Sequence, residues 1–153
     1  CTSGIESTII GFENNEPVIY RLGALALEDI EAVIGKVIIK NKKQISPNAP
    51  GMLDRHYAPA TQTLLTNNVS EEIKKHLGKR IGVLVFKSDL KNDSVTTQII
   101  LSQKGDMAEA ASKLYDAMHD LDFQNLDIII AERFPDFGLG KSINDRLQRA
   151  TVQ

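Results

Sequence analysis

The sequence predicts an α/β fold: a parallel, Rossmann-like sheet with flanking helices over residues 61–153, preceded by a linker and a smaller α/β piece. Three observations predict it. Strand-like and helix-like segments alternate through residues 61–153, the pattern of a parallel sheet with crossover helices. Pro47, Pro50 and Pro59 break residues 40–60, where neither helix nor central strand is tolerated. The composition, 42% hydrophobic and 25% charged, is that of an ordinary globular chain and excludes collagen-like, coiled-coil and wholly disordered classes.

Residues 1–39 hold two short apolar runs and a helix. Glu6–Phe12 reads as a strand of β-branched residues and Pro17–Arg21 as a second. Asn14 and Asn15, which tolerate positive φ, make the turn between them, and Gly23 ends the pair. Leu27, Ile30, Val33 and Ile34 share one helical face, with Gly35 at the C-terminus. A hairpin and one helix bury too little by themselves. These residues therefore read as the tail end of a domain that begins upstream, an expectation that Cys1 in place of Met reinforces. They are expected to be poorly ordered, or to satisfy their strand edges on a neighbouring chain.

Residues 40–60 show no periodicity. A plain linker needs no aromatic, His or Met, yet Met52, Leu53, Arg55, His56 and Tyr57 cluster here, so the segment is expected to dock on something. Beyond it come a strand at Thr61–Leu65 and a helix from Ser70 as cap to Leu77, closed by Gly78. Strands follow at Arg80–Phe86 and Val95–Leu101. A capping-box start at Asp106–Glu109 opens a helix with Met107, Ala111, Leu114, Tyr115 and Met118 at helical spacing. A strand at Leu126–Ala131 and a helix at Ser142–Ala150 complete the chain.

The charge balance, 18 basic against 20 acidic residues for a net −2, lacks the bulk signature of a nucleic-acid binder. A single cysteine permits no internal disulfide and fits a reducing, cytoplasmic setting. Apolar runs of about four residues, such as Ile128–Ala131, are far short of a membrane span.

Phe137-Gly138-Leu139-Gly140-Lys141-Ser142 invites a P-loop reading, but Pro135 stands where that motif needs its first Gly. A tight turn into the last helix is the simpler account, with an anion site at the helix N-terminus as an intermediate one. Arg146 and Arg149 form a basic face there, read as solvated or as salt-bridge partners. His56, His76 and His119 show no metal-ligand spacing, so no metal site is expected. Ser7 and Thr8 lead into the first strand and Arg21 ends its partner. The hairpin brings these ends together, and hydroxyls beside a guanidinium suit a phosphate or carboxylate.

Four stretches together carry a resemblance. They are Gly4-Ile5-Glu6-Ser7-Thr8-Ile9; Tyr20-Arg21-Leu22-Gly23; Ser46-Pro47-Asn48-Ala49-Pro50-Gly51-Met52 running on to Arg55-His56-Tyr57-Ala58-Pro59; and Gly138-Leu139-Gly140 with Asn144-Asp145-Arg146-Leu147 and Arg149-Ala150. The chain resembles the C-terminal part of two-domain threonylcarbamoyl-AMP synthases, the YrdC-like enzymes with an added Rossmann-like C-terminal domain. The resemblance implies condensation of L-threonine, bicarbonate and ATP into L-threonylcarbamoyladenylate with release of pyrophosphate. Partner proteins would then pass the threonylcarbamoyl group to tRNA. It implies that Ser7 contacts L-threonine and that Arg21 and Tyr57 contact ATP, with Arg55 and His56 beside them. Mg2+ would accompany ATP, and no tightly bound cofactor is implied.

The division implied is 1–39 as the end of the catalytic domain, 40–60 as an active-site linker and 61–153 as the C-terminal domain. Most catalytic residues would lie upstream and cannot be assigned, and this fragment alone would be inactive. Leu22 departs from the proline usual after the arginine. Residues 36–57 carry Lys36, Lys40, Lys42, Lys43 and Arg55 against Asp54, a local balance of +4 suited to closing over a triphosphate. The competing expectation is a standalone α/β module that binds nucleotide or RNA in a regulatory role.

Overall fold

The computed structural model describes residues 5–40 and 59–151. Strands β1 (Ile9–Glu13) and β2 (Glu16–Arg21) form an antiparallel hairpin. Its turn residues, Asn14 and Asn15, have φ of 51° and 65°. A turn of that hand matches the twist of the flanking strands, and Asn accepts it at little cost. The register slips by one residue between Ile9 and Ile10, so Tyr20 is the extra residue of a bulge next to Arg21.

β1 starts at Ile9, not at the expected Glu6. Residues 6–8 run against the chain beyond β2 instead, and the Ala24 N–H donates to the Glu6 carbonyl at 2.9 Å. Helix α1 (Leu27–Ile34) buries Leu27 and Ile30 against Ile19. Val33 and Ile34, expected to share a helical face with them, are 83% and 45% exposed. The helix has only eight residues and one small cluster to cover. A third strand, β3 (Ile38–Ile39), pairs parallel with β2. Two residues are too short a run for periodicity to reveal.

Residues 5–40 depart from one expectation for residues 1–39, that they are poorly ordered. They form a three-stranded sheet with its own cluster, and Ile5 enters the core of the larger sheet. Phe12 and Ile38 stay largely exposed on this small sheet.

The second sheet is built from β4 (Thr63–Thr66), β5 (Ile81–Val85), β6 (Thr97–Ile100) and β7 (Ile128–Glu132). All pairings are parallel, in the order β4-β7-β5-β6. The expected parallel sheet with flanking helices is present. Its last strand is inserted between the first two rather than following the sequential order of a dinucleotide-binding half-sheet.

Side chains alternate across the sheet. Ile81, Val83, Val85, Ile128 and Ile130 face helix α2 (Val69–Lys75) through Val69 and Ile73. Leu84, Ile129 and Ala131 face the other way, onto α3 (Met107–Asp122) and α4 (Leu139–Ala150). Burial on both faces explains the continuous apolar runs that marked these strands in the sequence. β5 and β6 are joined by residues 86–96 without a helix, a short crossover for a parallel pair.

Asn68, not the expected Ser70, caps α2 by accepting from the Glu71 N–H. Asp106 caps α3 as expected, accepting from Ala108 and Glu109. The Glu109 carboxylate does not reach back to close a capping box. It takes the Ser102 hydroxyl, and Ser102 Oγ accepts the Asp106 N–H in its stead.

Asn144, buried on α4, grips the loop after β7. Its Oδ1 accepts from Phe134 N at 2.8 Å, and its Nδ2 donates to Phe134 O at 2.9 Å. Asn144→Ala leaves both backbone groups of Phe134 buried without that partner. We expect a loss of about 2–4 kcal/mol in stability, read as a lower midpoint in urea unfolding.

Candidate functional site

The hairpin's open end gathers the residues singled out above. The Arg21 guanidinium donates through Nε and Nη2 to the Ser7 carbonyl at 3.2 and 3.0 Å. Its Nη2 lies 3.4 Å from Ser7 Oγ, and its Nη1 is 2.8 Å from Glu6 Oε2. Ser7 is exposed, whereas the Arg21 side chain is 14% exposed. The fork of the guanidinium thus holds the Ser7 backbone and presents its own charge beside the hydroxyl. Thr8 turns away and donates from Oγ1 to the Leu25 carbonyl at 3.3 Å. Gly23 fixes this arrangement, since a Cβ there would overlap the backbone of Glu6, Ser7 and Thr8.

Helix α4 closes on the same segment. Ser142 Oγ, buried, donates to the Gly23 carbonyl at 2.7 Å. Lys141 Nζ pairs with Glu28 Oε1 at 2.7 Å, which holds the Glu28 carboxyl below the ordinary carboxylate range. Arg146 Nη2 reaches Glu6 Oε2 at 2.9 Å. The Lys-Ser pair that resembled a P-loop is therefore committed to a structural contact. Its glycines have structural reasons as well. Gly138 enters α4 at φ 52°, and Gly140 packs on the Pro135 carbonyl too closely for any side chain. Arg146 and Arg149 are both salt-bridge partners, Arg149 with Asp145 at 2.9 Å.

Arg55, His56 and Tyr57, expected at the nucleotide, lie outside the described residues. His76 pairs with Glu72 at the end of α2. His119 stands between Tyr115 and Phe123 on α3, with ring centroids 6.0 and 4.5 Å away. Among the described residues no three His, Cys, Asp or Glu side chains gather to hold a metal ion. Also among them, no helix is long and apolar enough to cross a membrane. The residue that sequence reasoning left without a role is Glu6. It lies within the run Gly4–Ile9, but its two arginine partners come from distant parts of the chain.

The chain matches the family described as the C-terminal domain of threonylcarbamoyl-AMP synthase over residues 25–152. It belongs to that family. The threonylcarbamoyl-AMP synthase of Bacillus subtilis is 35% identical to it over 96% of this chain, and that of Pyrococcus abyssi 30% over 97%. The chain spans only 45% and 46% of those two proteins. A crystal structure of P. abyssi Sua5 complexed with L-threonine superposes with a TM-score of 0.81. The sequence identity is 31%, over 98% of this chain and 46% of the other. A His-to-Ala, Tyr-to-Ala double variant of P. abyssi Sua5 superposes at 0.78 with 29% identity, over the same shares of the two chains.

The chain at Ala60 and Thr61 is tied down where it enters the larger sheet. The Asp122 carboxylate at the end of α3 accepts from Ala60 N at 3.0 Å and Thr61 N at 2.8 Å. Burial works to raise the Asp122 carboxyl, but the bonds from Thr61 and Ala60 outweigh it and hold it below the usual aspartate range. A lowered folded value means stability that is present above the ordinary aspartate pKa and is lost as pH falls through the folded one. Asp122→Ala is therefore expected to be less stable than the parent at pH 7. The gap should close as pH drops below about 4, where the unfolded-state carboxyl protonates. Thermal melts of both proteins between pH 7 and pH 2 check this.

Proposed function

We propose that this chain is part of an L-threonylcarbamoyladenylate synthase that acts in tRNA threonylcarbamoyladenosine modification. Residues 1–39 are the end of the catalytic unit, 40–60 its active-site strap and 61–153 the C-terminal domain. The observation that carries the reading is the juxtaposition of the Ser7 hydroxyl and the Arg21 guanidinium at the open end of the bulged hairpin. The exposed Phe12 and Ile38 on the small sheet support its belonging to a larger unit. The likeness to a relative crystallised with L-threonine supports threonine as a substrate.

The chemistry explains the choice of groups. The amine of L-threonine and bicarbonate form a carbamate with loss of water. A carbamate oxygen attacks the α-phosphorus of ATP, and pyrophosphate leaves. Every reactant that meets at that phosphorus is anionic, so a guanidinium beside the reacting groups lowers the barrier and a hydroxyl orients the amino acid. Ser7 takes the hydroxyl role toward L-threonine and Arg21 the cationic role toward the ATP phosphates. Tyr57 contacts the nucleotide, with Arg55 and His56 adjacent. The double variant of the P. abyssi protein changes a neighbouring His and Tyr. This chain has one such pair, His56-Tyr57, which supports a role for that segment. Mg2+ enters with ATP. The Glu6 carboxylate is already engaged by two arginines. We place the protein in the cytoplasm, working with partner proteins that transfer the threonylcarbamoyl group to tRNA.

Steady-state synthesis by the full-length protein tests the reading. Arg21→Ala and Tyr57→Ala are each expected to raise the KM for ATP about tenfold or more, the cost of a lost charge-assisted or nucleotide contact. His56→Ala should do so less. Lys141→Ala, whose partner is Glu28, should leave catalysis nearly unchanged. Loss of activity in Lys141→Ala with none in Tyr57→Ala would move the site to the C-terminal domain and defeat the proposal. The 153-residue chain alone is expected to make no threonylcarbamoyl-AMP.

A further inference from the structure

One carboxylate joins the two sheets at the candidate site. Glu6 Oε2 accepts from Arg21 Nη1 at 2.8 Å and from Arg146 Nη2 at 2.9 Å. The three side chains are 14%, 30% and 22% exposed for Arg21, Glu6 and Arg146. At that degree of burial their mutual interactions exceed those of solvated charges. Arg146 is delivered there by a helix face anchored through backbone. Ser142, one helical turn earlier on α4, bonds the Gly23 carbonyl, and Gly23 itself packs on the Glu6–Thr8 backbone.

We infer that Arg146 is a positioning residue for Arg21: it engages Glu6 so that the Arg21 guanidinium keeps its attraction for phosphate. The inference rests on the assignment of Arg21 to ATP. The argument is one of charge. Glu6 facing Arg21 alone makes a neutral pair, which presents little field to a triphosphate. With Arg146 on the same oxygen, the Glu6 charge is shared between two guanidinium groups, and it neutralises Arg21 less. Glu6 draws both guanidinium groups to one place, while the Ser7 carbonyl independently holds Arg21 from its other edge. The C-terminal domain thus contributes charge to a site whose ligand-contacting groups lie elsewhere.

The test uses the full-length protein with Arg146→Gln, Arg146→Lys, the double variant Glu6→Gln/Arg146→Gln, and Arg21→Ala. KM is measured for ATP and for threonine, MgATP binding by calorimetry, and Tm for each. Arg146→Gln is expected to raise the KM and Kd for ATP about tenfold, with a smaller change for threonine, because Glu6 then neutralises Arg21. Arg146→Lys should restore most of the affinity. The double variant should recover ATP affinity relative to Arg146→Gln, although it has lost both contacts. A purely structural clamp predicts the opposite, a double variant at least as impaired as the single one, with both KM values and Tm moving together. That result, or wild-type ATP affinity in Arg146→Gln, overturns the inference while leaving the assignment of Arg21 intact. If Arg21→Ala binds ATP normally, the assignment itself falls, and the inference with it.

Discussion

The close approach of Gly23 to the Glu6–Thr8 backbone is the constraint on which the rest of the site depends. With no side chain at position 23, two backbone segments lie in direct contact, and the Ala24 N–H bonds the Glu6 carbonyl. That contact sets Ser7 against Arg21, because the arginine at the end of β2 can then reach the Ser7 carbonyl with two of its nitrogens. The bulge at Tyr20 falls at the same point, where the register of the hairpin slips. A strand that paired regularly through residue 6 would take Ser7 and Glu6 into the ladder and away from this bend.

Helix α4 turns that local feature into a property of the whole molecule. One side of the helix, with Ile143, Leu147 and Ala150, fills the core beneath the larger sheet. Another, with Lys141, Ser142 and Arg146, meets residues 6–28 through two ion pairs and a buried hydroxyl. Asn144 fastens the helix to the strand end that precedes it. A helix held this firmly on one side delivers charged groups on the other with little conformational freedom left to lose, which is what a positioned electrostatic site requires. Ile5 adds an apolar link by entering the same core from the small sheet.

Both sheets of the α/β architecture were legible in the sequence to different depths. The larger one announced itself through the apolar runs of β5 and β7, the Asp106 cap and the spacing of Ala111, Leu114 and Met118, because strands buried on two faces and a helix buried on one leave unmistakable patterns. β3 was invisible, since two residues carry no period, and the exposure of Val33 was not legible, since periodicity reports which face a residue shares but not whether anything covers it. At the candidate site, the Asn14-Asn15 turn predicted that the Ser7 and Arg21 ends come close, whereas their direct contact depends on the bend against Gly23.

The sequence by itself determined the elements, the turn between β1 and β2, and the chemical types available at the hairpin's open end. These depend on local φ/ψ preference and on period, both written in neighbouring residues. Only the tertiary structure decided what those groups do to one another. The glycines around Lys141 became packing devices rather than a phosphate loop, and Lys141 and Ser142 became partners of Glu28 and Gly23. Glu6 became the shared acceptor of two arginines separated by 125 residues of chain, Arg21 and Arg146. Such convergence has no local signature, because it arises from where the folded backbone carries each side chain.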